Sequence, residues 1–334
     1  MVQTCATWSL RVRVDQGRRT LENEPMAMQA YRKQAALCLP KAILMLALLA
    51  GPSLAGLCAC KRQTGNGSAT RPGRSATIQN KGSDTMVNLA LAWAEAYAKA
   101  RPEVHIAVTG GGSGTGIAAL VNRTVDLANA SRRIKDEERA QAKRNGVDPV
   151  EHTVAGDAIA VLVHSSNPIS GLTIPELSAV FSGKITNWRE LGGEDRPIVL
   201  VSRESNSGTH VFFLETIVRQ GKAGDKTLFS PDTLLMPSSE GISTEVRHNP
   251  NAIGYDGLGY VTPDQKVLGV ARASGKPYVL PTVASAQDGS YPIARGLYMY
   301  SMGEPEGDIR DYLDWIMGPA GQTIVKELGF VPLR

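Results

Sequence analysis

The stretch Gly-Gly-Gly-Ser-Gly-Thr-Gly at residues 110–116 joins an alternating, strand-like run at 104–108 to an apolar run at 117–121 that indicates the start of a helix. Glycine lets backbone N–H groups approach a ligand closely, and Ser113 and Thr115 add hydroxyl donors. A donor-rich turn between a strand and a helix is typical of an anion site. A tight turn with an N-cap fits the same residues equally well, so this stretch alone predicts an α/β unit.

Two further turns share this design, Gly-Ser-Asp-Thr at 82–85 and Ser-Asn-Ser-Gly-Thr at 205–209. All three turns lie between a strand end and a helix start, which is where ligands of α/β sheets bind. Arg203 precedes the third turn, and its guanidinium could hold two oxygens of one anion. We therefore expect the three turns to converge on a single anion, although N-capping also accounts for the serines.

The alternation of strands and helices predicts an α/β fold with a parallel-rich sheet. The strand at 158–164 is apolar throughout and is expected to be buried on both faces. The other predicted strands are 76–81, 104–108, 126–130, 197–202 and 252–261, and the predicted helices are 87–98, 117–121, 135–145, 173–181, 210–219, 306–317 and 320–327.

Charge and cysteine usage exclude several classes of protein. The full chain has a net charge of +4, but residues 76–334 hold 25 Lys/Arg and 29 Asp/Glu, so nucleic acid is not an expected partner. All four cysteines precede residue 61, which leaves the remaining chain without a disulfide, a thiol nucleophile or a cysteine metal site. The five histidines lack metal-ligand spacing, so neither a metal nor a cofactor is expected.

Residues 1–59 are expected to be an N-terminal extension followed by a lipoprotein signal peptide. Residues 1–25 have no periodicity, and Met26 and Met28 are alternative starts of translation. Basic residues then precede an apolar run at 42–50 that is too short for a comfortable transmembrane span.

The residues after this apolar run resemble a bacterial lipobox. Leu57-Cys58-Ala59-Cys60 places a small residue directly before Cys60, whereas bulky Leu57 precedes Cys58. Cys60 is therefore the expected lipidation site, and residues 60–75, rich in Gly, Ser and Thr, are the expected flexible tether. Plain secretion without a lipid is the alternative.

Several motifs, in chain order, resemble those of the phosphate-binding protein of bacterial phosphate ABC transporters, a periplasmic substrate-binding protein family. The most specific are Gly-Lys-Ile-Thr-Asn-Trp at 183–188 and Arg-x-x-x-Ser-Gly-Thr at 203–209. The others are Gly-Ser-Asp-Thr at 82–85, Gly-Ser-Gly-Thr-Gly at 112–116, Ala-Ser-Arg at 130–132, Ala-Ile-Gly-Tyr at 252–255 and Gly-Phe-Val-Pro at 329–332. The resemblance runs from about residue 76 to the C-terminus.

The resemblance implies a two-lobed type II periplasmic-binding-protein fold, in which two crossing hinge strands join the lobes and the ligand binds in the cleft between them. The crossings are then expected near residues 155–159 and 255–259. This gives a discontinuous lobe 1, residues 76–155 and 259–334, and a lobe 2 of residues 156–258.

The family's ligand positions carry over onto the three turns. The residues expected to contact phosphate are Thr85, Met86, Ser113, Arg132, Arg203, Ser207, Gly208 and Thr209, and further candidates are Ser83, Asp84, Gly114, Thr115 and Ser131. Arg203 is expected to be the main charged clamp. Removing it should weaken phosphate binding and leave the stability of the free protein little changed.

One position departs from the family pattern. Many members have an aspartate directly after the serine that ends the third strand, and its carboxylate accepts the proton of hydrogen phosphate. This chain has Arg132 there. Asp84 is therefore a candidate for the missing acceptor, with N-capping as its alternative role.

The resemblance implies a monomer that binds inorganic phosphate and delivers it to the permease subunits of an ABC transporter. The signal peptide and the lipobox predict export to the periplasm or cell surface and attachment to the membrane through a lipid anchor. No activated nucleophile, metal cluster or spaced carboxylate pair accompanies the turns, so an enzyme is not expected. The alternatives are a binding protein for another tetrahedral oxyanion such as sulfate, a phosphate-binding surface sensor and, least favoured, a phosphoesterase.

Overall fold

The computed structural model describes residues 76–334. The N-terminal extension, the signal peptide, the tether and Cys60 lie outside the described residues, so what the sequence predicts for them stays a prediction. Within the described part of the chain, no helix is both long and apolar enough to cross a membrane.

The described residues form ten strands and nine α-helices. The strands are β1 (Ala76–Gly82), β2 (Val104–Thr109), β3 (Leu127–Ala130), β4 (Val150–His164), β5 (Gly171–Thr173), β6 (Val199–Arg203), β7 (Leu234–Met236), β8 (Ala252–Gly257), β9 (Gln265–Ala271) and β10 (Ala294–Ser301). The helices are α1 (Val87–Ala100), α2 (Ser113–Val121), α3 (Asp136–Arg144), α4 (Ile174–Phe181), α5 (Gly208–Phe213), α6 (Ser239–His248), α7 (Val283–Gln287), α8 (Gly307–Met317) and α9 (Pro319–Glu327). Single 3₁₀ turns lie at Asp84–Met86, Trp188–Leu191 and Leu258–Tyr260, and a π-helical turn at Leu214–Val218 continues α5.

The α/β class is confirmed, but the sheet is mixed rather than parallel-rich. Its strand order is β2-β1-β3-β10-β4-β8-β6-β7. The outer pairs are parallel, whereas β10 and β4 run antiparallel to their neighbours at the centre. The sequence pattern missed β10 because the second half of this strand is continuously buried and shows no alternation of polar and apolar residues.

β4 runs through the middle of the sheet and serves both halves. Residues 150–158 pair with β10, and residues 159–163 pair with β8. The side chains of residues 158–163 are fully buried, which confirms the prediction of a strand covered on both faces, whereas His164 at its end is only partly buried. The strand begins earlier than predicted, at Val150, because its first half pairs with the unpredicted β10.

Separate hydrophobic cores form around the two halves of the sheet. Trp93 and Leu297 belong to the main core of one half, and Phe181, Phe213 and Tyr255 belong to the main core of the other. Each half has a smaller core in addition. The rings of Phe213 and Tyr255 stack with their centroids 3.7 Å apart. Two main cores joined by a continuous strand are the arrangement expected of a two-lobed fold.

The limits of the lobes stay a prediction, and strand pairing favours a change to one of them. β9 pairs with residues 161–164 of β4 and with β5, and its Leu268 lies in the same core as Phe181. We therefore propose that lobe 2 extends to about residue 293. The second crossing would then lie directly before Ala294, where β10 begins, rather than at 255–259.

Candidate functional site

The first turn positions Thr85 between β1 and α1. Gly82 ends β1 with a φ of +147°, and a Cβ there would lie 2.1 Å from the carbonyl oxygen of Asn129, so only glycine fits. Thr85 lies in the following 3₁₀ turn and is buried. The N–H of Met86 donates to the carbonyl of Ser83 at 3.0 Å. The turn itself therefore uses the Met86 donor that the sequence predicts for phosphate.

The second turn places Ser113 at the first residue of α2, which begins earlier than predicted. Gly111 and Gly112 adopt positive φ values of 128° and 94°, and this change of direction lets the helix start directly after them. The Oγ of buried Ser113 accepts the N–H of Ser131 at 2.9 Å and lies 3.3 Å from its Oγ. Thr115 Oγ1 donates to the Gly111 carbonyl at 2.6 Å, so this hydroxyl is engaged within the turn.

The third turn places Gly208 and Thr209 at the start of α5, which also begins earlier than predicted. Ser207 caps this helix, because its Oγ accepts the N–H of Thr209 at 3.2 Å. A Cβ added to Gly208 would lie 2.3 Å from Ser113 Oγ and 2.6 Å from Ser131 Oγ. Glycine therefore allows the third turn to pack directly against the second.

Hydrogen bonds connect the three turns. Thr85 Oγ1 lies 2.8 Å from Thr209 Oγ1, and the N–H of Gly114 donates to the Asn206 carbonyl at 3.0 Å. The side-chain Nδ2 of Asn206 donates in return to the Gly111 carbonyl at 3.1 Å. The three turns therefore meet, as the sequence predicts. Ser131, directly after β3, adds a buried hydroxyl next to Ser113. We call five buried side-chain hydroxyls the hydroxyl cluster: those of Thr85, Ser113, Ser131, Ser207 and Thr209.

Arg203 ends β6 and is buried, but most of its donors are used within the protein. Its Nη1 lies 3.0 Å from Asp84 Oδ2 and donates to Ser239 Oγ at 2.9 Å. Its Nη2 donates to the Pro237 carbonyl at 2.9 Å. Asp84 Oδ2 also accepts the N–H of Ser239 at 2.8 Å. The guanidinium is thus a connector between the first turn and the start of α6 rather than a free clamp.

Arg132 is held by Glu138. Two hydrogen bonds of 2.8 and 2.7 Å join the guanidinium to the carboxylate. Burial opposes ionisation of Glu138, but hydrogen bonds from Arg132 and from the N–H of Lys135 outweigh it and lower the pKa of this carboxyl. The Nη2 of Arg132 lies 3.7 Å from the Cβ position of Gly114. A charge-compensated guanidinium therefore borders the glycine turn.

A third arginine, Arg295, was missed by sequence reasoning. It lies on β10 and forms a buried ion pair with Asp157 of β4, with Nη2 2.8 Å from Oδ2. The same nitrogen donates to Thr209 Oγ1 at 2.9 Å, and Nη1 donates to the Ser131 carbonyl at 2.9 Å. The available sequence signal was Asp157 itself, a charged residue directly before the apolar run at 158–163.

Asp256 on β8 is a further buried acid that sequence reasoning missed. Its Oδ1 accepts Ser239 Oγ at 2.9 Å and the N–H of Gly257 at 2.8 Å, while Oδ2 has no hydrogen-bond partner among the described residues. Burial raises the pKa of Asp256 to about 7, against the opposing influence of the Arg203 charge. This carboxyl therefore changes its charge near neutral pH.

One serine–histidine contact lies close to the third turn. Ser202 Oγ is 3.2 Å from His210 Nδ1, but the same nitrogen is 2.8 Å from the Arg203 carbonyl oxygen. Because a carbonyl only accepts, Nδ1 carries the hydrogen and cannot take a proton from Ser202. This pair therefore lacks the geometry of an activated nucleophile.

Taken together, the region offers uncharged hydroxyl donors among charge-compensated arginines. The ion pairs are Arg203–Asp84, Arg132–Glu138 and Arg295–Asp157. Such a region suits an oxyanion bound through many directed hydrogen bonds rather than through net positive charge. In the described part of the chain, no three His, Cys, Asp or Glu side chains are grouped to hold a metal ion.

Comparison with known proteins identifies relatives over most of the chain. Residues 67–320 match a family model described as a PBP superfamily domain. The chain is 34% identical to the phosphate-binding protein PstS of Pseudomonas aeruginosa, over 78% of this chain and 84% of that protein. It is 29% identical to PstS of Bacillus subtilis, over 88% of this chain and 94% of that protein.

Solved structures give the same assignment of fold. A protein from Clostridium perfringens, described as a phosphate ABC transporter substrate-binding protein with bound phosphate, matches with a TM-score of 0.69 and 30% identity over 77% of this chain and 100% of that chain. An ABC-type phosphate transport receptor from Vibrio cholerae matches with a TM-score of 0.62 and 25% identity over 77% and 100%. The type II periplasmic-binding-protein fold is confirmed.

Proposed function

Because the chain belongs to the PBP superfamily and, within it, to the phosphate-binding proteins of bacterial phosphate ABC transporters, we propose that it binds inorganic phosphate and delivers it to a permease for import. The observation that carries the proposal is the meeting of three turns at one buried, hydroxyl-rich region. The names of the relatives and the phosphate bound to the C. perfringens protein support this choice of ligand.

The hydroxyl cluster and the backbone around Gly208 are the proposed phosphate contacts. Hydroxyl groups can rotate so that their hydrogens point toward an anion. The cluster is buried, and a hydrogen bond in such an environment of low dielectric constant is electrostatically stronger than one in water. Three other predicted contacts, Met86, Gly114 and Thr115, have less support, because their donors already form hydrogen bonds within or between the turns. Arg203 and Arg132 are proposed to act mainly by positioning the turns around the anion, because Asp84 and Glu138 compensate their charges. Ser83 is proposed to act through the shape of the first turn.

Asp84 is the proposed acceptor for the proton of hydrogen phosphate. Its Oδ2 is engaged by Arg203 and Ser239, but its Oδ1 lies 3.9 Å from the Cβ position of Gly110 and so borders the glycine turn. Sulfate carries no proton at neutral pH, so an acceptor facing the ligand favours phosphate over sulfate. This assignment keeps a selective site in spite of Arg132.

The protein is proposed to be a binder rather than an enzyme. His210 supports this view, because its Nδ1 donates to the Arg203 carbonyl and therefore cannot act as the base that would activate Ser202. Export to the periplasm or cell surface, a lipid on Cys60 and a monomeric state complete the proposal, and they rest on the sequence motifs given above.

A ligand panel tests the function. Phosphate-depleted protein is heated with phosphate or sulfate, and the melting temperature is recorded alongside cleavage of a chromogenic phosphomonoester. We expect phosphate to raise the melting temperature most, as a ligand of the native state does, and no ester to be cleaved. A larger shift with sulfate would favour the other oxyanion, and steady ester cleavage would favour a phosphoesterase. A phosphate-binding sensor would give the same melting shift as a transport protein. Deletion of the gene separates these two roles, because only a transport protein is required for phosphate uptake.

A further inference from the structure

Arg295 joins β4 to two members of the hydroxyl cluster, Ser131 and Thr209. It stands directly opposite Asp157 in the antiparallel register of β10 and β4, so the two side chains share one face of the sheet. Both side chains are nearly inaccessible, at 3% and 0% exposure. A buried pair of this kind is costly unless each charge is well compensated.

The hydrogen bonds of Arg295 reach the third turn and the residue that follows β3. Its Nε and Nη2 donate to Asp157 Oδ2 at 3.1 and 2.8 Å. Its Nη1 donates to the carbonyl of Ser131 and its Nη2 to the hydroxyl of Thr209, both at 2.9 Å. One guanidinium therefore contacts the end of β3 and the start of α5 at once.

The contact with Thr209 sets the direction of a hydroxyl hydrogen. Arginine has no acceptor, so Thr209 Oγ1 must accept from Arg295 and must send its own hydrogen elsewhere. Its other close neighbour is Thr85 Oγ1, at 2.8 Å. If Thr209 donates its hydrogen to Thr85, the hydroxyl hydrogen of Thr85 is free to donate to a ligand. If Thr85 donates to Thr209 instead, the hydroxyl hydrogen of Thr209 is free to do so.

We propose that Arg295, held by Asp157, is a positioning residue for anion binding, and that it directs the paired hydroxyls of Thr209 and Thr85 so that one hydrogen always points to the ligand. The inference rests on the proposed function. Because Asp157 compensates the charge of Arg295, the arginine acts through the direction of its hydrogen bond rather than through net charge. Donors that are oriented before the ligand arrives cost less to align on binding.

The test is a double-mutant cycle between Arg295→Lys and Thr209→Val, with phosphate affinity measured by calorimetry. A lysine keeps the charge and a bond to Asp157, but it cannot reproduce the planar fork that serves three partners. We expect Arg295→Lys alone to weaken phosphate binding about tenfold. In the Thr209→Val background, the hydroxyl that Arg295 contacts is absent and Arg295 no longer acts on Thr85 through it, so the same replacement should change the affinity by less than about twofold.

Equal losses in both backgrounds, or no loss in either, would overturn the inference, because a merely structural arginine does not depend on the Thr209 hydroxyl. If Arg295→Lys does not fold, the neutral pair Arg295→Gln with Asp157→Asn replaces it, since exchanging both partners is tolerated better than removing one. Glutamine at position 295 is too short to reach Thr209. The neutral pair should therefore weaken phosphate binding when Thr209 is present and change it little in the Thr209→Val background. Wild-type protein that fails to bind phosphate would instead refute the proposed function, so the two failures are distinguishable.

Discussion

Asp84 Oδ2 lies 3.0 Å from Arg203 Nη1, so an ion pair joins the first turn to the end of β6. The same carboxylate oxygen accepts the N–H of Ser239 at the start of α6. Arg203 therefore has a structural task that the sequence did not reveal, because its partners Asp84 and Ser239 are distant from it along the chain. Removal of Arg203 should therefore affect the stability of the free protein as well as its affinity for phosphate.

Arg203→Ala is expected to lower both phosphate affinity and stability. The replacement removes a buried charge and leaves Asp84 and Asp256 without their cation. Loss of one partner of a buried pair costs about 3 kcal/mol in the free energy of unfolding, and the affinity should fall at least about tenfold. Denaturant unfolding of the free protein and calorimetry with phosphate measure the two effects. Unchanged stability would restore the sequence-based picture of Arg203 as a free clamp.

Asp84→Asn is the matched variant, because it keeps Arg203 and removes only the carboxylate charge. If Asp84 accepts the proton of the ligand, phosphate affinity should fall more than any residual affinity for sulfate. Equal losses for both anions would leave Asp84 as a connector only.

Gly208→Ala is expected to prevent the second and third turns from meeting. The added Cβ would lie 2.3 Å from Ser113 Oγ, and the nearest atoms would have to move apart. We expect phosphate affinity to fall at least about tenfold.

Small-angle scattering provides the second readout for this variant. A ligand that contacts both lobes should compact the wild-type protein, whereas Gly208→Ala should compact less. Gly303→Ala is the control, because a Cβ at Gly303 meets no atom within 4 Å. Compaction of Gly208→Ala equal to that of the wild type would show that close contact of the turns is not required.

The three turns were predictable from the sequence, whereas their surroundings were not. Each turn has a local signature of Gly, Ser and Thr between periodic segments, so its place in the fold could be inferred. Arg295 and Asp256 carry no such signature, because their partners are distant along the chain. Arg295 meets Asp157 through the pairing of β10 with β4, and Asp256 meets Ser239 at the start of α6. The elements β5, β7 and α7 are too short to give a periodic pattern. The starts of α2 and α5 were misplaced because residues read as loop form the first helical turn.

Asp256→Asn is expected to change how stability depends on pH. The native pKa of Asp256, about 7, lies above the ordinary value of a carboxyl, so the folded protein binds this proton more tightly than the unfolded chain does. The stability contributed by this group is therefore lost as the pH rises toward 7. Asparagine resembles the protonated acid, so the variant should gain stability relative to the wild type from pH 4.5 to 7.5. Denaturant unfolding without phosphate measures this, and a parallel pH dependence of both proteins would contradict it.

Cys60→Ala is expected to release the protein from the membrane. The lipobox predicts a lipid on Cys60, and stable anchoring needs more than one acyl chain, as a bacterial lipoprotein provides. Fractionation of cells should move the variant from the membrane to the soluble fraction, while Cys58→Ala should stay with the membrane. Membrane attachment of Cys60→Ala at the wild-type level would refute the lipobox.

The central claim is that phosphate binds where the three turns meet. Calorimetric titration of phosphate-depleted protein with inorganic phosphate tests it, with the wild type beside the double variant Ser113→Ala/Thr209→Val. Both replacements keep the approximate shape of the side chains and remove one hydroxyl from each of two turns. We predict one phosphate per wild-type chain and an affinity at least about a hundredfold weaker in the double variant. Equal affinity in both proteins, or no binding by the wild type, would contradict the account.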